Sequence, residues 1–393
     1  MKRIVVLGAG YAGMRMVKRL AAAKVDAQIV LVNKNPYHYQ STELHEVAAG
    51  TKEPADITFD VAQVFAKKKN VRVVIDEVTK VDQDAKKVEL KNSDSLSYDY
   101  LVNALGFESE TFGIKGAREN GWPLIDVDTA LAARKHLEDT LKRYKTSHDA
   151  NDLRIVVCGA GFTSIEYLGE LVYRLPDLAK EYGFPLDQVK IDCIEASPKI
   201  LPMFNQNLAD WGVKFLEGKG VTFHVSTPIT EVKPDAVMSN DTAFPAGTII
   251  WTTGVQGSHI IADSGYDQKR NRVVVEDDLR VKGQPDQFLV GDVSAVPNPD
   301  NGRLYPTTAQ ISIAQADCAA DNLVALINGG TTKKFVFKSL GTVCSLGPKT
   351  GIASIDMMGH WNLKGWLAAV AKKMIADRSA LELADIRTML ESD

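Results

Sequence analysis

Apolar residues fall in short unbroken runs along this chain, and two runs of four, rich in β-branched residues, lead straight into closely similar glycine turns. Ile4-Val5-Val6-Leu7 enters Gly8-Ala9-Gly10-Tyr11-Ala12-Gly13, and Ile155-Val156-Val157-Cys158 enters Gly159-Ala160-Gly161-Phe162-Thr163-Ser164. A run that is apolar at every position, rather than at every second one, suits a strand buried on both faces of a parallel sheet. A helix-like pattern follows each turn, and residues 25–32 and 190–195 supply a second strand to each. Each half therefore reads as a strand-turn-helix-strand unit. Residues 98–106 and 247–254 are buried runs that end in glycine and mirror one another, and residues 286–292 form an apolar strand ending in Gly-Asp. The pattern predicts an α/β fold with two Rossmann-like dinucleotide-binding domains. Residues 71–74, 78–81 and 87–90 read as short antiparallel strands, residues 128–144 as a helix, residues 146–152 as a polar linker, and residues 35–46 as a polar, aromatic loop.

The glycines have distinct mechanical uses. Gly8 permits the tight turn, Gly10 lets a pyrophosphate approach the backbone, and Gly13 lets helix pack on strand. Gly159, Gly161 and the small Ser164 repeat the arrangement, and in both units the phosphates would sit on N–H groups at the helix N-terminus. The second strand of such a unit normally ends in an acid for the ribose hydroxyls. Glu195 meets that expectation and favours NADH over NADPH, whereas Asn33 departs from it and offers an amide. Two dinucleotides on one chain point to FAD and NADH together. Gly106 and Gly254 close the matching strands, Gly291 admits a ligand closely, and Asp292 is placed to accept a flavin ribityl hydroxyl.

Composition narrows the classes. The net charge of −4 and the absence of long basic runs give no field for nucleic acid, and Lys67-Lys68-Lys69 reads as a solvated turn. Four cysteines, Cys158, Cys193, Cys318 and Cys344, lie far apart without a CxxC, so no disulfide framework or zinc site is expected and a reducing cytosol fits. His38 and His45 have no ligand-like spacing to a partner, and loop packing is the expectation rather than metal. No signal-like start or run of membrane-spanning length is seen.

Together these residues resemble the two-dinucleotide-binding-domain flavoproteins, and more narrowly the type II NADH dehydrogenases, which are NADH:quinone oxidoreductases. The narrower resemblance rests on residues 35–50, ending Leu44-His45-Glu46-Val47-Ala48-Ala49-Gly50, and on Gly161-Phe162-Thr163 with Glu166. It rests also on Pro306-Thr307-Thr308-Ala309-Gln310 and on Gly341-Thr342-Val343-Cys344-Ser345-Leu346-Gly347. It implies non-covalent FAD, hydride transfer from NADH to flavin N5, two electrons passed on to menaquinone or ubiquinone, no proton pumping, and a homodimer peripheral to the cytoplasmic face of the cell membrane. Glu166 resembles the family's glutamate near flavin and nicotinamide. Gln310 matches the first glutamine of its quinone motif, whose later positions are altered at Ser312 and Ala314, with Gln315 following at once. The helix after Thr308 and Ala309 would turn its N-terminal N–H groups on the flavin. Residues 1–112 and 255–327 are assigned to an FAD domain, 113–254 to an NADH domain, and 328–393 to a membrane-association and dimer region. Within that region Trp361, Leu363, Trp366, Leu367, Val370 and Met374 fall at helical spacing among Lys364, Lys372, Lys373 and Arg378, an interfacial amphipathic helix; Glu382, Asp385, Glu391 and Asp393 against Arg387 would be repelled by anionic lipid.

Rival functions on the same pattern are a flavin disulfide reductase or NADH oxidase, a sulfide:quinone oxidoreductase, and a non-catalytic redox-responsive flavoprotein. The first needs a cysteine where Gln40, Ser41, Thr42 and Glu43 stand, and the second needs cysteines paired beside the flavin.

Overall fold

The computed structural model describes residues 1–384 apart from residues 24, 300, 357 and 358. The chain opens with strand β1 (Lys2–Leu7), helix α1 (Tyr11–Ala22) and strand β2 (Ala27–Asn33), β1 and β2 pairing in parallel from Lys2–Ala27 to Leu7–Val32. Ile4 to Leu7 and Ile29 to Val32 are buried without exception, which explains the absence of alternation in the sequence. After α2 (Leu44–Ala49), β3 (Val71–Ile75) pairs in parallel with β2 and β4 (Tyr100–Asn103) with β1. The parallel pairing of β3 corrects the antiparallel expectation for residues 71–74. A short β-branched run does not reveal its partner's direction; the chain reaches β3 by a crossover that includes the helix Val61–Phe65, and a crossover returns it parallel. Val78–Asp82 and Lys87–Leu90 do pair antiparallel, with Leu96–Ser97 as a third strand.

The chain then builds a second sheet from β5 (Trp122–Pro123), β6 (Arg154–Cys158), β7 (Lys190–Ile194), β8 (Val221–His224) and β9 (Thr248–Trp251), all parallel, in the order β5-β9-β6-β7-β8. Helices α3 (Val127–Ser147) and α4 (Phe162–Tyr182) belong to this unit, the first started by Asp126, whose side chain accepts from the Thr129 N–H. Afterwards β10 (Arg280–Val281) and β11 (Gln284–Leu289) return to the first sheet beside β4, giving the order β10-β11-β4-β1-β2-β3. The runs β4-β1-β2-β3 and β9-β6-β7-β8 thus have the same order, so the duplication seen in the glycine turns extends to topology. Helix α5 (Ala309–Ile327) packs on α1.

The last unit is an antiparallel sheet of β12 (Gly341–Ser345), β13 (Gly351–Ile355) and β14 (Trp361–Gly365), followed by helix α6 (Trp366–Leu383). The helix expected from Trp361 therefore begins at Trp366. Trp361 and Leu363 alternate with Asn362 and Lys364 as a strand requires, and Gly365 at φ +72° breaks the two elements apart. Asp385, Arg387, Glu391 and Asp393 lie outside the described residues.

Two main cores result. One surrounds the first sheet with α1 and α5; the other combines the second sheet with α3, α4, Cys344, Leu346 and Ile352 of the C-terminal unit, and with Leu44, Val47, Ala48 and Ala49 of α2. The region predicted as a polar loop thus supplies a helix to the other half of the molecule.

Candidate active site

The two glycine turns have nearly identical construction. Gly8 and Gly159 stand at φ +91° and +94°, and their N–H groups donate to Val32 and Ile194 at the ends of the neighbouring strands. A Cβ on Gly8 would lie 2.4 Å from the Ala104 carbonyl oxygen, and one on Gly13 only 1.8 Å from that of Gly8, so both positions exclude a side chain. Gly10 and Gly161, by contrast, face open space, and α1 and α4 begin on them without a side-chain cap. Each helix therefore offers uncapped N–H donors and a partial positive charge to an incoming anion, and the cradle fits the pyrophosphate of a dinucleotide. Ser164 replaces the third glycine by bonding, Oγ to Oγ1, with Thr252 at 2.8 Å.

The ends of the second strands also correspond. The Ala9 N–H donates to Asn33 Oδ1 at 2.9 Å, and the Ala160 N–H to Glu195 Oε2 at 2.7 Å. Asn33 further donates to the carbonyls of Asn35 and Tyr37, so its amide fastens the turn to the following segment; Glu195 Oε1 accepts from the Ser197 N–H at 2.7 Å. Each carboxylate oxygen of Glu195 keeps a lone pair for a ribose hydroxyl. His38 packs as expected, its ring stacked on Phe59 and its Nδ1 2.7 Å from the Ala9 carbonyl, and burial lowers its pKa to about 4.

Gly291 (φ +72°) is wedged where α1 and α5 meet, a Cβ there lying 3.3 Å from Ala12 Cβ. The buried Gln315 accepts from the Gly291 N–H at 2.6 Å and from Ser294 Oγ, which makes it the residue that fixes the turn carrying Asp292. Sequence reasoning passed over this role, because a glutamine inside an apolar helix signals a buried partner without saying which. Burial raises the Asp292 carboxyl to about 6 against the opposing pull of Arg272. Thr308 caps α5 by accepting from the Ile311 N–H, and Ala309 opens the helix. Gly106 and Gly254 follow β4 and β9 with positive φ, and Phe112 lies against Gly254.

Glu166 and Gln310 are not brought together. Glu166 Oε1 accepts from the Ser345 N–H at the end of β12, whereas Gln310 Oε1 accepts from the Leu340 N–H just before its start. Five residues of extended chain separate those contacts by about 17 Å. What meets Glu166 instead is Lys372 of α6, its Nζ 2.6 Å from Oε1 and 3.0 Å from Ser345 Oγ. The ion pair is largely buried, and Glu166 raises the Lys372 pKa although burial alone would lower it. Lys372 was expected among the lipid-facing charges; it points inward because it falls one turn after the buried Ala368. Trp366, Val370 and Met374, spaced by four, form an exposed apolar stripe on the outer face. Among the described residues no helix is long and apolar enough to cross a membrane.

Beside Glu166, His45, Glu46 and Glu170 bring one ligand atom each within 4.8 Å of one another. Lys52 is ion-paired with Glu46 at 2.7 Å and with Glu43 at 3.0 Å, so together with Lys372 it sets two ammonium groups among these carboxyls. All four cysteines are free, and burial raises the thiols of Cys158, Cys193 and Cys344 far from reactivity.

Comparison with known proteins agrees with this construction. Residues 2–317 match the pyridine nucleotide-disulphide oxidoreductase family. The type II NADH:quinone oxidoreductases of Staphylococcus aureus and Staphylococcus epidermidis are each 42% identical to the chain, over 98% of its length and 96% of theirs. NDH2 from Plasmodium falciparum, solved in complex with NADH, superposes with a TM-score of 0.87 at 19% identity, covering 100% of this chain and 96% of that one. The sulfide:quinone oxidoreductase of Aquifex aeolicus superposes with a TM-score of 0.79 at 20% identity, covering 98% and 91%. The last two likenesses speak for the fold, and the first three matches for descent: the chain belongs to the pyridine nucleotide-disulphide oxidoreductases and, among them, to the type II NADH:quinone oxidoreductase family.

Proposed function

We propose that this chain oxidises NADH and passes two electrons, by way of non-covalently bound FAD, to a membrane quinone of the menaquinone or ubiquinone kind, without pumping protons. In this reading residues 1–112 and 255–327 hold FAD, residues 113–254 hold NADH, and residues 328–393 serve membrane association and a homodimer on the cytoplasmic face of the cell membrane. FAD, when bound, supplies the two-electron carrier between the substrates. Gly8, Gly10, Gly13 and the uncapped start of α1 take its pyrophosphate, with Asn33, Gly106, Gly291, Asp292, Thr308 and Ala309 around the remainder. Gly159, Gly161, Ser164, Glu195 and Gly254 take NADH.

The observation that carries the reading is the buried contact of Glu166 with Lys372. Glu166 lies in the first turns of the helix that begins on the NADH turn, and Lys372 on the helix whose opposite face is an exposed apolar stripe. A carboxyl and an ammonium held between those two surfaces suit a site where a dinucleotide meets an apolar acceptor. Gln310 is assigned to a quinone carbonyl. The FAD-loaded chain tests the proposal: NADH should bleach its flavin absorbance and a soluble quinone should restore it. A disulfide that restores it in place of quinone, or sulfide that replaces NADH as donor, would reassign the enzyme.

A further inference from the structure

Gly254, Gly159 and Glu195 stand at the ends of β9, β6 and β7, three adjacent strands of the second sheet. A dinucleotide held by its pyrophosphate at Gly159 and by its adenosine ribose at Glu195 therefore extends its nicotinamide half toward Gly254. Two tight turns meet there. In the first, the Ile114 N–H donates to the Thr111 carbonyl at 2.9 Å around Phe112 (φ +52°) and Gly113 (φ +70°). In the second, Lys269 and Arg272 exchange backbone hydrogen bonds of 3.0 and 3.2 Å around Arg270 (φ +56°) and Asn271 (φ +57°). Two successive positive φ values are the type I′ pattern, which favours Asn, Asp or Gly at both central positions. Gly113 and Asn271 conform, whereas Phe112 and Arg270, each first in its turn, do not. The two side chains that break the rule stack on one another, the Arg270 guanidinium lying 5.0 Å from the centroid of the Phe112 ring.

Both turns are pinned where the chain crosses between the sheets. Phe107–Ser109, after β4, and Val255–Gly257, after β9, pair antiparallel. Beside them Glu110 Oε1 accepts from the Phe112 N–H at 2.7 Å and Oε2 from Arg270 Nε at 2.9 Å, while Arg270 Nη2 donates to the Val255 carbonyl at 3.1 Å. A Cβ on Gly257 would lie 1.9 Å from the Asn271 carbonyl oxygen, so the second turn sits directly on the strand. These contacts hold Phe112 in a left-handed conformation that its side chain disfavours. Core packing does not repay that strain, because Phe112 is 55% exposed. Its ring lies beside Gly254 instead, Cζ standing 3.5 Å from where a Cβ on that glycine would be. We propose that the Phe112 ring, braced by Arg270, covers the nicotinamide riboside half of NADH and sets its pose for hydride transfer. An aromatic ring with a free surface offers stacking to a planar base, and a brace on the far side fixes the ring before the ligand arrives.

The role of Phe112 rests on the NADH:quinone reading, and one experiment separates the two. In the FAD-loaded full chain, stopped-flow bleaching of the flavin at increasing NADH gives the half-saturating concentration. Competition against NADH gives inhibition constants for NAD+ and for ADP, which lacks the nicotinamide half. Phe112→Asn installs a residue the turn favours and removes the ring. It should raise the half-saturating NADH concentration and the NAD+ constant about tenfold, while the ADP constant and flavin reoxidation by a soluble quinone stay within about twofold of the parent. Phe112→Tyr keeps the ring and should stay within about twofold of the parent throughout. An unchanged NADH half-saturation in Phe112→Asn overturns the role of Phe112 alone, and so does an ADP constant weakened as much as that for NAD+, the pattern of a residue that merely supports the domain. A parent whose flavin is not bleached by NADH overturns the function, and the role of Phe112 with it. If Phe112→Asn loses FAD, Phe112→Gly, which also suits the turn, carries the same comparison with the same outcomes.

Discussion

Gln310 and Glu195 make opposite demands on their surroundings, and single substitutions read each one. Among the described residues Gln310 has one weak side-chain hydrogen bond, 3.4 Å from the Leu340 N–H, so its amide has capacity for a ligand. Gln310→Ala should lower quinone efficiency by about three- to tenfold, the worth of one hydrogen bond of about 0.5–1.5 kcal/mol, while flavin reduction by NADH keeps its rate. Equal loss in both half-reactions would reassign Gln310 to support of α5. Glu195 is already committed through both oxygens to the Ala160 and Ser197 N–H groups. Glu195→Gln should shift the ratio of kcat/KM for NADPH over NADH upward by about tenfold or more, since a like charge facing a 2′-phosphate costs on the order of a few kcal/mol. The KM for NADH should rise as well, because a glutamine presents an NH2 to one of those two backbone donors. An unchanged ratio would show that Glu195 does not face the ribose.

At the scale of elements, α6 is asked to serve two faces at once. Its inner face carries Ala368 and Lys372, and its end is held by α1, where Arg15 donates to the Glu382 carbonyl at 3.1 Å and Lys18 to those of Leu381 and Ala384. Cations on the last carbonyls of a helix complement its dipole. Removing the chain from Trp361 onward would therefore take away a strand and the partner of Glu166 along with any membrane contact. Replacing only Trp366, Val370 and Met374 by serine isolates the outer face. That variant should lose most co-sedimentation with anionic vesicles yet keep FAD and its reduction by NADH; retained sedimentation would place the anchor elsewhere.

The whole molecule should show a stability curve shaped by opposing carboxyls. Asp126, Asp152 and Asp278 are held below the usual range by hydrogen bonds and by Lys34, Arg143 and Arg280, against burial, so their contribution is present above about pH 4 and is lost as pH falls through their folded values. Glu170 acts the other way. It is protonated in the fold at pH values where the unfolded chain has released the proton, so stability declines as pH rises from about 4.5 to 7, by ~3 kcal/mol for a shift of that size. The thermal midpoint should be highest in mildly acidic buffer and fall toward pH 8, and Glu170→Gln should flatten the alkaline fall. A variant whose midpoint declines as steeply as the parent's would show that Glu170 does not titrate near neutrality.

Local chemistry determined much of this protein. Unbroken apolar runs ahead of Gly8 and Gly159 specify buried parallel strands, and the turns admit only glycine where a Cβ would strike a carbonyl, so both dinucleotide turns and their internal duplication were legible one residue at a time. Tertiary structure decided what depends on residues distant in sequence. The direction of β3 follows from the crossover that precedes it, the break at Gly365 from a backbone conformation, and the inward turn of Lys372 from the helix phase that buries Ala368. Gln315 could be assigned to Gly291 only once α5 had packed beside that turn. The meeting of Glu166, Lys372, His45 and Glu170 depends most on the fold, because α2, α4, β12 and α6 are far apart along the chain and a buried ion pair leaves no periodicity in any one of them.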